Sequence, residues 1–454
     1  MPWASLLTGV YPHEAGIGGM VNPSKSVAKN PAYQGYLNNE SVTIAEVLKE
    51  AGYYTAMAGK WHVGEERPHW PVDRGFDNYY GLISGAMNYW DISRTKRPGI
   101  TRHFAIDSTE HRPPNEDFYL TDAITENAVE YLQKAGGKKN PFFLYVAYTA
   151  PHWPLHAWPE DIAKYRGEYM AGWDSLRQAR MDRMIKMRLL EDNARLSPRD
   201  EEVESWESLS DAQKEEMDLF MAIYAAQIDR MDQGIGQILD QLDAMGKTEN
   251  TLVLFLSDNG GCHEGGIWGQ RFWADQGVPG TADSYLSYGK SWANLSNTPF
   301  REYKHWVHEG GIKTPLIARW PAGIPDKGGL TPQVGHITDV MATCIEVAGA
   351  EYPETFNNKE IKPLRGKSLV LVFDGIIRDQ HQIIFWEHLG NRAARQNNWK
   401  IVDKKGKPWE LYDLENDPTE LNNLVNDSSE IFKGMIAKYD NWAEKANVIR
   451  YPVK

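Results

Sequence analysis

The sequence predicts an α/β fold in which a mostly parallel central sheet is sandwiched by helices and followed by a small C-terminal subdomain of antiparallel sheet plus helix. Three observations carry this expectation. Amphipathic helical runs alternate with short apolar runs as far as Leu256, the pattern of a parallel sheet covered on both faces. Polar motifs follow the apolar runs directly, at the strand ends where such sheets gather their ligands. Past Ala350 the texture changes to short strands joined by turns.

Each element has a local reason. Thr43 to Gly52 predicts a helix, with Ile44, Val47, Leu48 and Ala51 on one face, Thr43 as cap and Gly52 as stop. A strand over Tyr53 to Met57 follows. A helix over Asp117 to Lys134 precedes a strand over Phe142 to Tyr148, and a helix over Lys214 to Met245 precedes a strand over Thr251 to Leu256. Pro159 to Asp211, dense in charge and holding the basic stretch Arg177 to Arg188, is expected as a helical excursion at the rim, without chemistry. Ile383 to Trp386 and Trp399 to Val402 predict antiparallel strands, with Lys404 to Lys407 as a turn and Ser428 to Lys445 as a closing amphipathic helix. The domain limits expected are 1–350 and 351–454.

Composition narrows the function. With 49 Lys+Arg against 62 Asp+Glu the net charge is -13, which argues against a broad nucleic-acid face and requires any bound anion to meet a local cluster of cations. Two cysteines, Cys262 and Cys344, make no disulfide framework. The longest apolar runs, Pro141 to Ala147 and Leu252 to Leu256, fall short of the ~20 residues that span a bilayer. Met1 to Gly9 shows no basic stretch followed by an apolar one, so no secretion signal is visible.

Four segments carry candidate chemistry: Gly59-Lys60-Trp61-His62-Val63-Gly64, Ala150-Pro151-His152-Trp153-Pro154, Ser257-Asp258-Asn259-Gly260-Gly261, and Lys304 with His308-Glu309-Gly310-Gly311. Asp258 and Asn259 are adjacent oxygen ligands at a strand end, suited to a hard divalent cation such as calcium or magnesium; the same four residues also suit a simple turn. Lys60, His62 and Lys304 supply positive charge and donors, and His152 can hold or release a proton near neutral pH. Taken together they form one candidate cation-centred site.

On these motifs the chain resembles the type I sulfatases of the alkaline phosphatase superfamily. Gly59 to Gly64 is similar to the second sulfatase signature and Ala4 to His13 to the tail of the first. Lys304 stands five residues before Glu309, as the family's sulfate-binding lysine does before its Glu-Gly-Gly, and Thr314 to Pro321 and Trp409 to Pro418 are similar too. The resemblance implies a sulfuric ester hydrolase, arylsulfatase-like, using a divalent metal, usually Ca2+ with Mg2+ as the other candidate, and a formylglycine made from cysteine or serine. It implies that Asp258 and Asn259 bind the metal, that Lys304 and His152 engage sulfate and the leaving oxygen, and that Lys60 and His62 steady the nucleophile. A secreted or periplasmic setting is likewise implied, with a small-molecule or carbohydrate sulfate ester as partner and neither nucleic acid nor a membrane span.

One departure stands out. Aligned on Ala4, the family's Cys-x-Pro-x-Arg places arginine at Trp3, proline at Met1 and the cysteine ahead of the first residue; the strand that in the family ends in two metal-binding aspartates is missing as well. A fragment of a longer enzyme is therefore expected, with negligible sulfate-ester turnover by a polypeptide beginning at Met1. Two other functions share the same evidence: a phosphodiesterase or phosphonate monoester hydrolase of the same architecture, and a non-catalytic binder of sulfated ligands, for which Trp3 in an arginine position speaks. Tryptophans such as Trp153, Trp268, Trp273, Trp292, Trp306 and Trp386 offer flat faces to sugar rings but are expected mainly as packing residues. Glu387, His388, Asn391 and Arg392 are expected as a solvated loop near the pocket.

Overall fold

The computed structural model describes residues 2–94, 101–114, 117–192, 194–269 and 277–450, so Met1 and Trp273 lie outside it. The chain begins with a short buried helix, α1 (Pro2–Thr8), followed by α2 (Ile44–Glu50). The expected cap at Thr43 is a full capping box: Glu46 N donates to Thr43 Oγ1 at 3.1 Å and Thr43 N to the Glu46 carboxylate at 2.7 Å. Gly52, at φ +84°, takes the left-handed conformation that ends the helix.

Next come β1 (Tyr54–Gly59), β2 (Asn78–Leu82), β3 (Phe104–Ile106), β4 (Thr109–Glu110), α3 (Leu120–Gly136) and β5 (Phe142–Ala147). They form a five-stranded sheet in the order β4-β3-β2-β1-β5. β1 is parallel to both β2 and β5, whereas β2–β3 and β3–β4 are antiparallel, so the parallel part is the β2-β1-β5 side of the sheet. Every residue of β1 is buried, as a strand covered on both faces requires. Met57 belongs to one core cluster with α1 and α2, and Tyr54, Ala56 and Ala58 to another with α3. Helices therefore cover both faces, as expected.

The long helix α6 (Asp211–Ala244) is preceded by α4 (Pro159–Ala163) and α5 (Gly172–Lys186). This excursion is helical, as expected, but it is not merely a rim: Trp173, Trp206 and Trp292 interlock edge to face with centroids 4.8 to 5.8 Å apart inside a third core. Arg177, from the basic stretch, is buried and donates to both the carbonyl and the hydroxyl of Ser197 at 2.9 Å. A charged composition did not distinguish a solvated face from arginines whose stems pack inside.

After α6 the chain forms β6 (Val253–Leu256), α7 (Gly289–Ser296), α8 (Glu309–Ile312) and β7 (Leu316–Arg319). Sequence reasoning placed β6 in the parallel sheet; among the described residues it pairs only with β7, and antiparallel. The apolar pattern of a run fixes strand type and buried face but not its partner. Leu254 and Leu256 nevertheless pack against the cluster that holds Met57, which brings the end of β6 beside the ends of β1 and β5.

The rest comprises α9 (Asp339–Ala348), the hairpin β8 (Thr355–Phe356) and β9 (Lys359–Glu360), α10 (Val370–Phe373), the antiparallel sheet β10 (Ile384–His388), β11 (Asn391–Gln396), β12 (Trp399–Asp403) and β13 (Glu410–Asp413), and the closing helix α11 (Ser429–Lys445). Lys407 N donates to Lys404 O at 2.8 Å in the expected turn. Met435 and Tyr439 of α11 pack on Ala394, Ile401 and Leu411 of the sheet.

Just before α9, His336 donates its backbone N–H to Asp339, whose carboxylate also receives Arg378 at 2.7 Å and His381 at 2.8 Å. Burial lowers the His336 imidazole to about 4. An unfolded histidine takes its proton near ~6.5, so the contribution is intact above that pH and is lost as pH falls toward about 4. On the order of 2 kcal/mol of that stability should disappear between pH 7 and pH 5. Urea midpoints at pH 7 and pH 5 check this, and His336→Gln should flatten the difference.

Candidate active site

Three strand ends and one loop build the site. Gly59 closes β1 at φ +123°, where an added Cβ would lie 2.1 Å from Ala147 O; only glycine lets the ends of β1 and β5 approach so closely. Lys60 N then donates to Ala147 O at 2.8 Å and His62 N, at φ +51°, to Ile83 O at 3.0 Å. Both side chains are buried. Gly85 makes room for the imidazole, since a Cβ there would sit 2.4 Å from His62 Nε2.

Beyond β5, His152 N donates to Thr149 O at 2.9 Å, and His152 Nδ1 lies 2.7 Å from Trp153 O. A carbonyl can only accept, so Nδ1 carries the proton and Nε2 offers its lone pair. Lys304 Nζ meets that lone pair at 3.0 Å. Lys304 is itself positioned from the backbone, its N–H donating to Gly261 O at 3.1 Å.

Asn297 staples the two loops together. Its Oδ1 accepts from Gly261 N and its Nδ2 donates to Glu302 O, both at 2.8 Å. Asn297→Ala should cost about 1–3 kcal/mol, because both backbone groups are left unpaired, and should loosen Lys304 at the same time. Thermal denaturation and a sulfate-binding titration on the variant measure the two effects.

At the end of β6, Gly260 and Gly261 serve close approach. A Cβ on Gly260 would fall 1.8 Å from Gly310 O, so the Asp-Asn-Gly-Gly turn lies directly on the Glu309-Gly310-Gly311 segment. Asn259 Nδ2 donates to Gly260 O at 2.9 Å, the turn-type bond foreseen for these residues, and its Oδ1 lone pairs remain for a cation. Burial raises the Asp258 carboxyl, opposed by Lys60, Lys304 and two backbone amides.

Lys60, His62, His152, Lys304 and Asp258 share one electrostatic environment. Burial, then Lys304, lowers the Lys60 amine to about 7. Burial is also the first cause that holds His62 and His152 well below the ordinary imidazole value, followed by Lys60 for His62 and Lys304 for His152. Such mutual perturbation among clustered groups makes them a candidate functional site on physical grounds. Asp258 and Asn259 suit a hard divalent cation in donor chemistry but number two against the 6–8 oxygens of a calcium site. They fit such an ion and need further oxygens to complete its shell.

Several neighbours were not foreseen. Glu264 receives His305 Nε2 at 2.9 Å and the indole N–H of Trp153, and lies 3.7 Å from Lys304 Nζ. Burial opposes its ionisation, but His305, Lys304 and His152 overturn that and keep the carboxyl low. The available signal was the run Cys262-His263-Glu264, directly after the double glycine. Trp3 lies under Lys60, with Nζ 4.0 Å from the ring centroid, and edge-on to His62 at 5.6 Å. The Glu387 to Arg392 segment is not a solvated loop: Glu387 is buried against His13 at 2.8 Å, His388 stacks on His305 at 5.6 Å, Asn391 donates to His305 O at 3.1 Å and Arg392 pairs with Asp403. Of the tryptophans, Trp292 is fully buried, as expected of a packing residue.

Comparison with known proteins defines the class as a hydrolase of the alkaline phosphatase superfamily. Residues 3–350 match the family model described as Sulfatase, and residues 301–444 match that of the N-sulphoglucosamine sulphohydrolase C-terminal region. An uncharacterized sulfatase of Schizosaccharomyces pombe, PB10D8.02c, is 32% identical over 87% of this chain and 76% of its own length. An arylsulfatase of Klebsiella aerogenes is 33% identical over 80% of each chain. The crystal structure of Ps i-CgsB superimposes with a TM-score of 0.68 at 25% identity, covering 97% of this chain and 81% of that one. The chain belongs to the sulfatase family, hydrolases acting on sulfuric ester bonds, which generally use a divalent metal and a formylglycine.

Proposed function

We propose that this site cleaves the sulfate ester of a sulfated carbohydrate, with Ca2+ held by Asp258 and Asn259. One observation carries it: the lone pair of neutral His152 faces the Lys304 ammonium at 3.0 Å, a pair able to share one proton beside a leaving oxygen. Lys304 and Lys60 offset charge on the sulfuryl oxygens, and the buried setting strengthens both interactions. His152 passes the shared proton from Lys304 to the departing alkoxide. Lys60, at about 7, and His62 orient the attacking group and move its proton near neutral pH. The family's formylglycine would supply the attacking oxygen, and Ca2+ held by Asp258 and Asn259 would supply Lewis-acid charge at the sulfuryl group.

Carbohydrate as the substrate class is supported by the 301–444 match, whose model is named for an amino-sugar sulfohydrolase. Within that region His305, stacked on His388, bonds Glu264 beside Lys304. We assign 1–350 to the catalytic domain and 351–454 to a C-terminal subdomain, and take a secreted or periplasmic setting from the family. Calorimetric titration in Ca2+ tests the proposal with a 6-sulfated amino sugar, its unsulfated form and its 6-phosphate. Binding of the sulfated sugar, at least about tenfold tighter than either analogue, supports it. Preference for the phosphate moves the site to the phosphodiesterase branch, and equal binding of the unsulfated sugar refutes sulfuryl recognition.

A further inference from the structure

A second constellation shares His152 with the proposed reaction and adds two side chains that the reaction does not use. A ring nitrogen of His152, Cys262 Sγ and a carboxylate oxygen of Glu264 all lie within 4.8 Å of one another. This is one imidazole, one thiol and one carboxylate, the ligand mixture of a borderline transition-metal ion rather than of calcium. We propose that these three side chains form a binding site for one Zn2+-like divalent cation, and that its occupation switches the sulfuryl site off.

The supporting contacts match those of metal sites. A ligating histidine usually donates its other ring N–H to a carbonyl or carboxylate, which fixes the tautomer. His152 does so through Nδ1 to Trp153 O at 2.7 Å, leaving Nε2 as the donor atom. Glu264 is oriented in the same way, by His305 at 2.9 Å and by the Trp153 indole. Three protein ligands leave a fourth tetrahedral position for water. All three residues are partly exposed.

Binding and the proposed hydrolysis exclude each other. The ion takes the Nε2 lone pair that Lys304 now meets at 3.0 Å, so the Lys304 ammonium is displaced and repelled. The Cys262 thiol gives its proton to solvent as the sulfur–metal bond forms, so one proton leaves per ion bound. Asp258 and Asn259 contribute no ligand, and the hard-cation site is left intact.

Co2+, which gives an intense sulfur-to-metal charge-transfer absorption when a thiolate binds it, is the probe. The intact protein is titrated with Co2+ in excess Ca2+, and then with Zn2+. The expected result is a charge-transfer band saturating at one Co2+ per chain, erased by Zn2+, absent from Cys262→Ser and retained in Cys344→Ser. Glu264→Gln should keep the band with roughly 10- to 100-fold weaker affinity. Zn2+ at saturation should also abolish binding of the sulfated sugar to the wild-type protein and leave that binding unchanged in Cys262→Ser. No band in the intact protein, a band that survives Cys262→Ser, or sulfated-sugar binding indifferent to Zn2+ overturns the proposal; because the first reads the wild-type chain, a variant that fails to fold does not shelter it.

Discussion

Lys400→Met should destabilise the protein by about 3–5 kcal/mol, the cost of stranding buried charge. Lys400 is fully buried in β12, with Nζ 2.7 Å from Glu309 and 2.8 Å from Glu420, both buried as well. Methionine keeps the volume and leaves two carboxylates facing each other without their cation. Burial works against Glu309, yet Lys400 leads the interactions that bring its carboxyl down to about 2. A carboxyl held that low contributes stability above its unfolded value near ~4.3 and loses it as pH falls through about 2. The damage should reach the site, because Glu309 begins the Gly310-Gly311 segment on which Gly260 rests. Urea unfolding measures the loss. The triple variant Lys400→Met with Glu309→Gln and Glu420→Gln should recover most of it. Wild-type stability in Lys400→Met alone would show that the network carries no net charge pairing.

Asp258→Asn should change sulfated-ligand binding in opposite directions with and without calcium. With Ca2+, loss of the only charged donor of the pair should remove the metal and weaken binding by about 100-fold or more, the scale of a lost charge-assisted contact plus the ion's own charge. With a chelator present, the same substitution removes the negative charge that faces Lys60 and Lys304, so the anion should bind as well as or better than in wild type. A purely structural Asp258 would lower binding in both conditions alike. Calorimetry in Ca2+ and in EDTA separates these outcomes.

Much of the fold was legible because its signals are local. Thr43, Glu46 and Gly52 delimit α2 through hydrogen bonds and a backbone conformation that act within a few residues, and the alternation of apolar runs with amphipathic helices set the layers. The position of Lys60, His152 and Asp258 just past β1, β5 and β6 followed from the rule that ligands gather at strand carboxyl ends. The antiparallel pairing of β6 with β7 was not legible, since an apolar run such as Leu252 to Leu256 signals a strand without naming its neighbour. Nor were Glu264, Trp3 under Lys60, or the Lys400 network, where the partners lie 20 to 111 residues apart and nothing but chain folding joins them. Arg177 and Glu387 were misjudged for a related reason: charge suggests solvent until a partner such as Ser197 or His13 is known.

The central claim is that a sulfuryl group sits between the lysines that follow β1 and precede α8, beside a metal on the turn after β6. A crystal structure of the protein with Ca2+ and a sulfated sugar tests it most directly. The account predicts sulfuryl oxygens within about 3.2 Å of Lys304 Nζ and Lys60 Nζ, with Ca2+ on the oxygens of Asp258 and Asn259. A sulfuryl group bound elsewhere, or Ca2+ held without Asp258, would contradict it.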